Sequence, residues 1–274
     1  MTTTLAQTRA SSRAAASAYF ALLLRDARVV QKQRWAFLMR TVMQPLLTTF
    51  VFAYVFPKIG QGVGGSGRAA DDFSTLLAPG LIGFGLIFQG IQAVALPLVS
   101  EFGYTREIED RVLAPLSVSM VGLAKISAAA IQALLAAAIT LPIVLVVPST
   151  DVHLDVNWAV VGTIVPLACV LSGALGLVIG TRVEPRQVSL MFSILVMPMS
   201  MLGAVYYPWA SLDPVPWLKW SVLVNPLIYM NEGLRAGLTG LDHMPLVAVY
   251  AALAGFTATL IRLGLDGFRR RVLT

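Results

Sequence analysis

The sequence predicts an all-α membrane protein with six transmembrane helices. Three observations carry that fold class. The chain is 57% hydrophobic and only 12% charged, against about 25% charged in an ordinary soluble domain. Its apolar residues gather in runs of about 20, the length a helix needs to cross ~30 Å of hydrocarbon. Its basic residues sit at the edges of those runs, where membrane flanks carry them.

The elements follow in chain order. Residues 1–16 hold no long apolar run, so they are not a secretory signal peptide. They read as a disordered cytosolic tail, although their Ser- and Arg-containing, acid-free composition also fits a transit peptide. Residues 17–35 read as an amphipathic interfacial helix. Phe20, Leu23, Leu24, Ala27 and Val30 share one face, with Arg25, Arg28 and Lys32 opposite. Gln31 and Arg34 interrupt its apolar edge, and a plain continuation of the first span is the competing reading. Residues 36–274 form the six-span domain. The predicted spans are Ala36–Phe56, Phe73–Val99, Val118–Val147, Trp158–Thr181, Val188–Tyr207 and Pro245–Leu265.

Orientation follows from the flanking cations. With the N-terminus in the cytosol, sixteen of the 20 Lys and Arg residues fall on the cytosolic side. Only Lys58, Arg68, Lys219 and Arg235 fall outside. Both termini are therefore expected in the cytosol, with the charged stretch EFGYTREIEDRVLAPLS (101–117) between spans two and three on the same side. Trp158, Trp209, Trp217 and Trp220 belong to the outer interface, as half-apolar rings at headgroup depth should. Lys58–Asp72 is Gly-rich and reads as a flexible outer connector.

Composition also excludes function classes. The basic balance could suit nucleic acid, but the cations border apolar runs and no nucleic-acid partner is expected. No GxxxxGK[ST] phosphate loop occurs. A single cysteine, Cys169, forms no intrachain disulfide and no CxxC metal motif. Spans two to five are expected to carry no charge between their ends, which argues against an ion-coupled carrier. In an outer loop Asp151, His153 and Asp155 alternate as possible metal ligands, but a solvated turn explains them as well. A membrane enzyme built on that loop, or an ATP-independent carrier or channel, is the alternative reading.

Two features point toward transport. Met197 and Met201 in span five, with Phe84, Phe88, Gln89 and Gln92 in span two, would give an adaptable apolar wall with sparse polar contacts. Ordinary helix packing uses the same residues. Read as a helix, the charged stretch pairs Arg106 with Asp110 and Glu107 with Arg111 at i,i+4, and Pro115 ends it. Such a short rigid helix suits docking, or simply solvation beside the membrane. Gly173, Gly176 and Gly180 in span four suit close helix packing within the chain or between chains.

Two motifs then resemble one family. The charged helix followed by LAPLSVSMVGLAKI (113–126) is similar to the ABC-2 type permease of bacterial ABC exporters. The matching residues are Arg106, Glu107, Asp110, Arg111, Pro115, Ser117 and Lys125. The stretch from Tyr206 to Gly240 resembles the family's segment after span five, in Tyr207-Pro208, Pro216-Trp217-Leu218, Asn225-Pro226 and Glu232-Gly233-Leu234-Arg235. The resemblance covers roughly residues 20–270.

It implies a transport subunit rather than an enzyme. A separate ABC ATPase, in two copies, would dock on the cytosolic face and bind ATP and Mg; this chain would bind no cofactor and no metal. Glu101, Arg106, Glu107, Asp110, Arg111 and Pro115 would form the coupling helix. Tyr207, Pro208, Trp217, Asn225, Pro226, Glu232 and Arg235 would shape short re-entrant outer helices between spans five and six. A second permease copy, identical or similar, would complete the pathway. The cargo would be lipophilic or lipid-linked, and the location the bacterial inner membrane.

Overall fold

A computed structural model describes residues 2–59, 68–102, 117–184, 187, 190 and 192–273. The regular elements among the described residues are all helical. The first, α1, spans Thr2–Lys32. It runs through the boundary expected at residue 17, because eight alanines and no Gly or Pro favour helix across that stretch. Tyr19 binds Ser127 at 2.6 Å, while Phe20 and Leu24 are exposed.

Helix α2, Arg34–Thr49, contains Pro45 and continues through a π turn, Phe50–Val55, to Lys58. Proline has no N–H to give the carbonyl four residues back, so Pro45 interrupts the hydrogen-bond ladder of α2 one turn ahead of the π turn. Next come α3 (Arg68–Ser100), α4 (Val118–Val146) and α5 (Trp158–Arg182). Side chains set two of these starts: Ser117 Oγ accepts from Met120 N, and Asn157 Oδ1 accepts from Val160 N. Five short elements follow: a π turn Phe192–Val196, α6 (Met197–Met201), a 3₁₀ turn Trp209–Leu212, α7 (Pro216–Ser221) and a second 3₁₀ turn Val222–Val224. Last are α8 (Pro226–Leu238) and α9 (Leu246–Leu273).

Among the described residues, five helical stretches are long and apolar enough to cross a membrane. They are Arg34–Lys58, Phe73–Ser100, Val118–Val146, Trp158–Arg182 and Leu246–Val272. Four match the predicted spans to within about two residues at each end. The last starts as predicted but runs seven residues further. The remaining predicted span, Val188–Tyr207, is described only in part. Its described helix is a π turn, Phe192–Val196, leading into α6, and the chain turns away from Leu202.

Helix α5 is the axis of the bundle and packs on α3, α4 and α9. Its glycines let backbones touch. A Cβ on Gly176 would lie 2.8 Å from the Gly90 carbonyl oxygen, and one on Gly173 would lie 2.9 Å from that of Ile126. The small-residue spacing thus serves packing within the chain. Gly176→Val is expected to cost about 1–3 kcal/mol by forcing α3 and α5 apart. Thermal unfolding in detergent would show this as a lowered midpoint.

The chain end fastens the same axis. The Arg271 guanidinium donates to the carbonyls of Gly180, Thr181 and Val183 at 3.4, 3.1 and 3.0 Å. Gly180 and Thr181 belong to the last turn of α5 and Val183 follows it directly, so the cation also meets the negative end of the helix dipole. The Phe102 ring covers Arg271 at 4.9 Å from its centroid.

Candidate functional site

Three groups of residues carry candidate function, and the fold places them at different levels. The first lies where α3 and α4 approach their shared connection, residues 103–116. Glu101 directly follows α3, and Lys125 sits two turns into α4. The Lys125 ammonium donates to Glu101 Oε1 at 2.9 Å and lies 2.8 Å from Oε2. Both side chains are buried. This corrects the expectation that spans two to five hold no charge between their ends. Lys125 is inside the bundle, and it is tolerated there because a carboxylate from the neighbouring helix neutralises it.

The pair borders a cleft of about 470 Å³ between α1, α2, α3 and α4, with Arg25, Asp26 and Arg40 on its walls. Arg106, Glu107, Asp110, Arg111 and Pro115 of the coupling motif lie outside the described residues.

The second group is the expected substrate wall. The structure divides it. Phe84 and Phe88 lie on one face of α3 with ring centroids 5.7 Å apart, and with Gln89 they border a small pocket against α2 and α4. Gln92, one turn on, is buried. Met197 and Met201 are exposed on the bundle surface instead, and line neither this pocket nor the next. Their neighbours Pro198 and Met199 border a separate apolar groove of about 540 Å³ between α5, α6, α7 and α9.

The third group is the outer motif. From Met201 the chain turns through Ala204, which adopts a left-handed φ of 54°, a conformation uncommon for any residue with a Cβ. Tyr207 donates to the Met201 carbonyl at 3.3 Å. After Pro208 the Trp209 indole donates to the Lys219 carbonyl at 3.0 Å, and the Lys219 ammonium lies 4.2 Å from the ring centroid. Lys219 also pairs with Asp213. Trp217 is exposed beside the apolar groove.

Asn225 starts α8 by accepting from Leu227 N at 3.0 Å, and Pro226 takes the first helical position, where a missing N–H costs nothing. The same Asn225 donates to the Met199 carbonyl at 2.7 Å. From Leu227 to Leu238 every side chain of α8 is buried. At 13 residues the helix is too short to cross a bilayer.

Its ionisable pair is the centre of the layer. Glu232 and Arg235 form an ion pair with side chains 1% and 0% exposed. Glu232 Oε1 also accepts from Trp209 N at 2.9 Å, and Oε2 accepts from Met244 N at 2.7 Å. Arg235 donates to the Ala204 carbonyl at 3.3 Å, and Asn231 donates to that of Gly203 at 2.6 Å. One turn of α8 therefore ties together the turn after α6, the start of the first 3₁₀ turn and the approach to α9. Arg235, counted in the sequence with the outer flank, is wholly interior.

The glycines of α3 make room for this layer. A Cβ on Gly80 would meet the Val205 carbonyl oxygen at 2.1 Å, and one on Gly83 would meet Asn231 Oδ1 at 1.9 Å. At the other end, Asp155 N and Asn157 N donate to the Leu238 and Gly237 carbonyls at 2.9 and 2.8 Å, satisfying the last turn of α8. Pro226, by contrast, borders the apolar groove with Leu175, 17 residues into α5. Helix α8 thus rises from within the bundle to the level where α5 begins.

Asp151, His153 and Asp155 do not converge on a site. Among the described residues no three His, Cys, Asp or Glu side chains gather closely enough to hold a metal. The segment instead pairs by backbone with α8 and with Thr75 Oγ1, which accepts from His153 N at 3.0 Å.

Residues 17–239 match the sequence model of the ABC-2 type transporter family, most of the chain. The chain belongs to the ABC-2 type transporter family. It is 27% identical over 221 residues to the inner membrane transport permease YadH of Escherichia coli and to that of Shigella flexneri. The alignment covers 79% of this chain and 82% of each relative.

Within this ABC-2 chain, the matched region begins in α1 and stops at Thr239, whose hydroxyl donates to the Arg235 carbonyl at the end of α8. Two parts of the site escaped the sequence: the partner of Lys125, and the backbone groups of Ala204 and Met244 that complete the Glu232–Arg235 hub. The i,i+3 spacing of Glu232 and Arg235 was the one local signal available. It marks a pair on one helix face but says nothing about burial.

Proposed function

We propose that this ABC-2 chain is the membrane subunit of an ATP-driven exporter that moves a lipophilic or lipid-linked cargo outward. Two copies of a separate ATPase supply the energy, binding ATP and Mg, and a second permease copy completes the pathway. Six spans, with Val188–Tyr207 as the fifth, and both termini in the cytosol make up the topology. The sequence assigns sixteen cations to the cytosolic side and four to the outer side, and setting aside the buried Lys125 and Arg235 leaves fifteen against three, which supports that orientation. The inner-membrane location rests on the relatives' names and the apolar helices.

The observation that carries the reading is the buried Glu101–Lys125 pair. It clamps the two helix ends from which residues 103–116 emerge. A push on that segment by an ATPase is then delivered to α3 and α4 together, not absorbed by a loose loop. Arg106, Glu107, Asp110, Arg111 and Pro115 form the coupling helix in this reading, with Glu101 at its root. Phe84, Phe88, Gln89 and Gln92 face the cargo, and the exposed Met197 and Met201 line its path against the second copy. The outer layer around α8, with Tyr207, Pro208, Trp217, Asn225 and Pro226 at its bends, forms the re-entrant outer gate.

The test is co-purification of the chain with its co-expressed ATPase, and ATP turnover in liposomes. Glu107→Arg combined with Arg111→Glu preserves the i,i+4 pair within the helix but reverses the charges presented to a partner. It should weaken the complex and lower cargo-stimulated turnover about tenfold, the effect of losing one charge-assisted contact. Unchanged association and unchanged transport would sink the coupling role.

A further inference from the structure

The small pocket between α2, α3 and α4 is more polar than the sequence suggests. Three of its side chains carry a buried polar atom with no hydrogen-bond partner among the described residues: Thr41 Oγ1, Gln89 Nε2 and Thr140 Oγ1. Those residues are only 5%, 3% and 1% exposed. Thr48, on the same helix as Thr41, behaves as helical threonines usually do and donates to the carbonyl four residues back, at 2.9 Å. Thr41 and Thr140 do not. A buried polar group left unmade costs free energy, more so in a bundle surrounded by lipid.

The pocket has an internal volume of about 20 Å³, room for one oxygen-sized group. Phe84 and Phe88 also line it. Arg40 lines it too and also borders the larger cleft beside α1. Arg40 is exposed and makes no hydrogen bond or ion pair with any described residue. It lies about 9 Å along α2 from Arg34, within snorkelling reach of the headgroup layer. A cation inside a span calls for an anion.

We propose that this pocket and Arg40 bind an anionic phosphate amphiphile. Its phosphate rests on the Arg40 guanidinium, and one ester or hydroxyl oxygen enters the pocket between Thr41, Gln89 and Thr140. The tail lies along the apolar face of α2. Placing the amphiphile in the cytosolic leaflet rests on the topology proposed above. The site itself rests on the pocket alone. The phosphate can belong to a bilayer lipid or to the transported cargo.

Native mass spectrometry of the full chain with equal phosphatidylglycerol and phosphatidylcholine reads the site without the ATPase. The wild type should retain phosphatidylglycerol about tenfold over phosphatidylcholine, the worth of one charge-assisted contact. Arg40→Gln should abolish that preference and Arg40→Lys should restore most of it. Thr140→Val, nearly isosteric, should weaken retention of both lipids with a detergent melting midpoint no lower than that of the wild type. Equal retention by wild type and Arg40→Gln, or a lone water in the pocket with no lipid at Arg40, overturns the proposal.

The second arm is co-reconstitution with the ATPase in vesicles holding labelled phosphatidylglycerol. ATP-dependent movement between leaflets makes the amphiphile cargo. Retention without movement makes it a bound bilayer lipid, and the site stands in both cases. Failure of the chain to bind an ATPase would remove the exporter reading and leave the lipid measurement intact.

Discussion

Glu232→Ala should destabilise the protein by about 3–5 kcal/mol, the cost of leaving one partner of a buried ion pair uncompensated. The carboxylate holds more than its cation. It accepts the backbone N–H groups of Trp209 and Met244, so its loss orphans two buried donors and the Arg235 guanidinium together. Thermal unfolding in detergent should show a large drop in midpoint, and limited proteolysis should cut first between residues 204 and 244. Glu232→Gln retains acceptor capacity and should fall between alanine and wild type. The double change Glu232→Met with Arg235→Leu removes both charges and should recover part of the loss, as apolar replacements of buried pairs often do. If Glu232→Ala melts like wild type, the pair is not the fastening point of the outer layer.

Lys125→Ala should be the second severe change. It leaves Glu101 buried without its cation, again about 3–5 kcal/mol. Its expected signature differs from that of the outer pair. The pair joins α3 and α4 beside their shared connection, so in the coupling role proposed above Lys125→Ala should also loosen the link between ATP turnover and the bundle. Lys125→Met with Glu101→Leu separates the two roles. Packing is largely restored and most stability should return, while ATP turnover should no longer respond to cargo. A double variant that is both stable and fully coupled would show that the pair only holds the fold together.

The two pairs also show how much of this protein can be read locally. Span positions were legible because hydropathy is a running sum over neighbours, and the bilayer imposes one length on every helix that crosses it. The glycines of α5 were legible for a similar reason: small residues four apart must share a helix face. The motif from Tyr206 to Gly240 was legible as something other than a loop, since four prolines within 19 residues (Pro208, Pro214, Pro216 and Pro226) break it too often for one unbroken span and its aromatic rings resist water.

The sequence by itself therefore determined the helical class, the bounds of four spans, the family and the residues worth watching. Tertiary structure alone decided which charges are interior and what neutralises them. Lys125 reads as a flank cation until Glu101, 24 residues away, is found beside it. Arg235 reads as an outer-loop cation until α8 is seen folded into the bundle against Gly80 and Gly83 of α3. Met197 and Met201 share a composition with the Phe84 wall but not a cavity. The physical reason is common to all three. Hydropathy and periodicity depend on near neighbours in the chain, whereas the cost of a buried charge depends on what distant segments place around it.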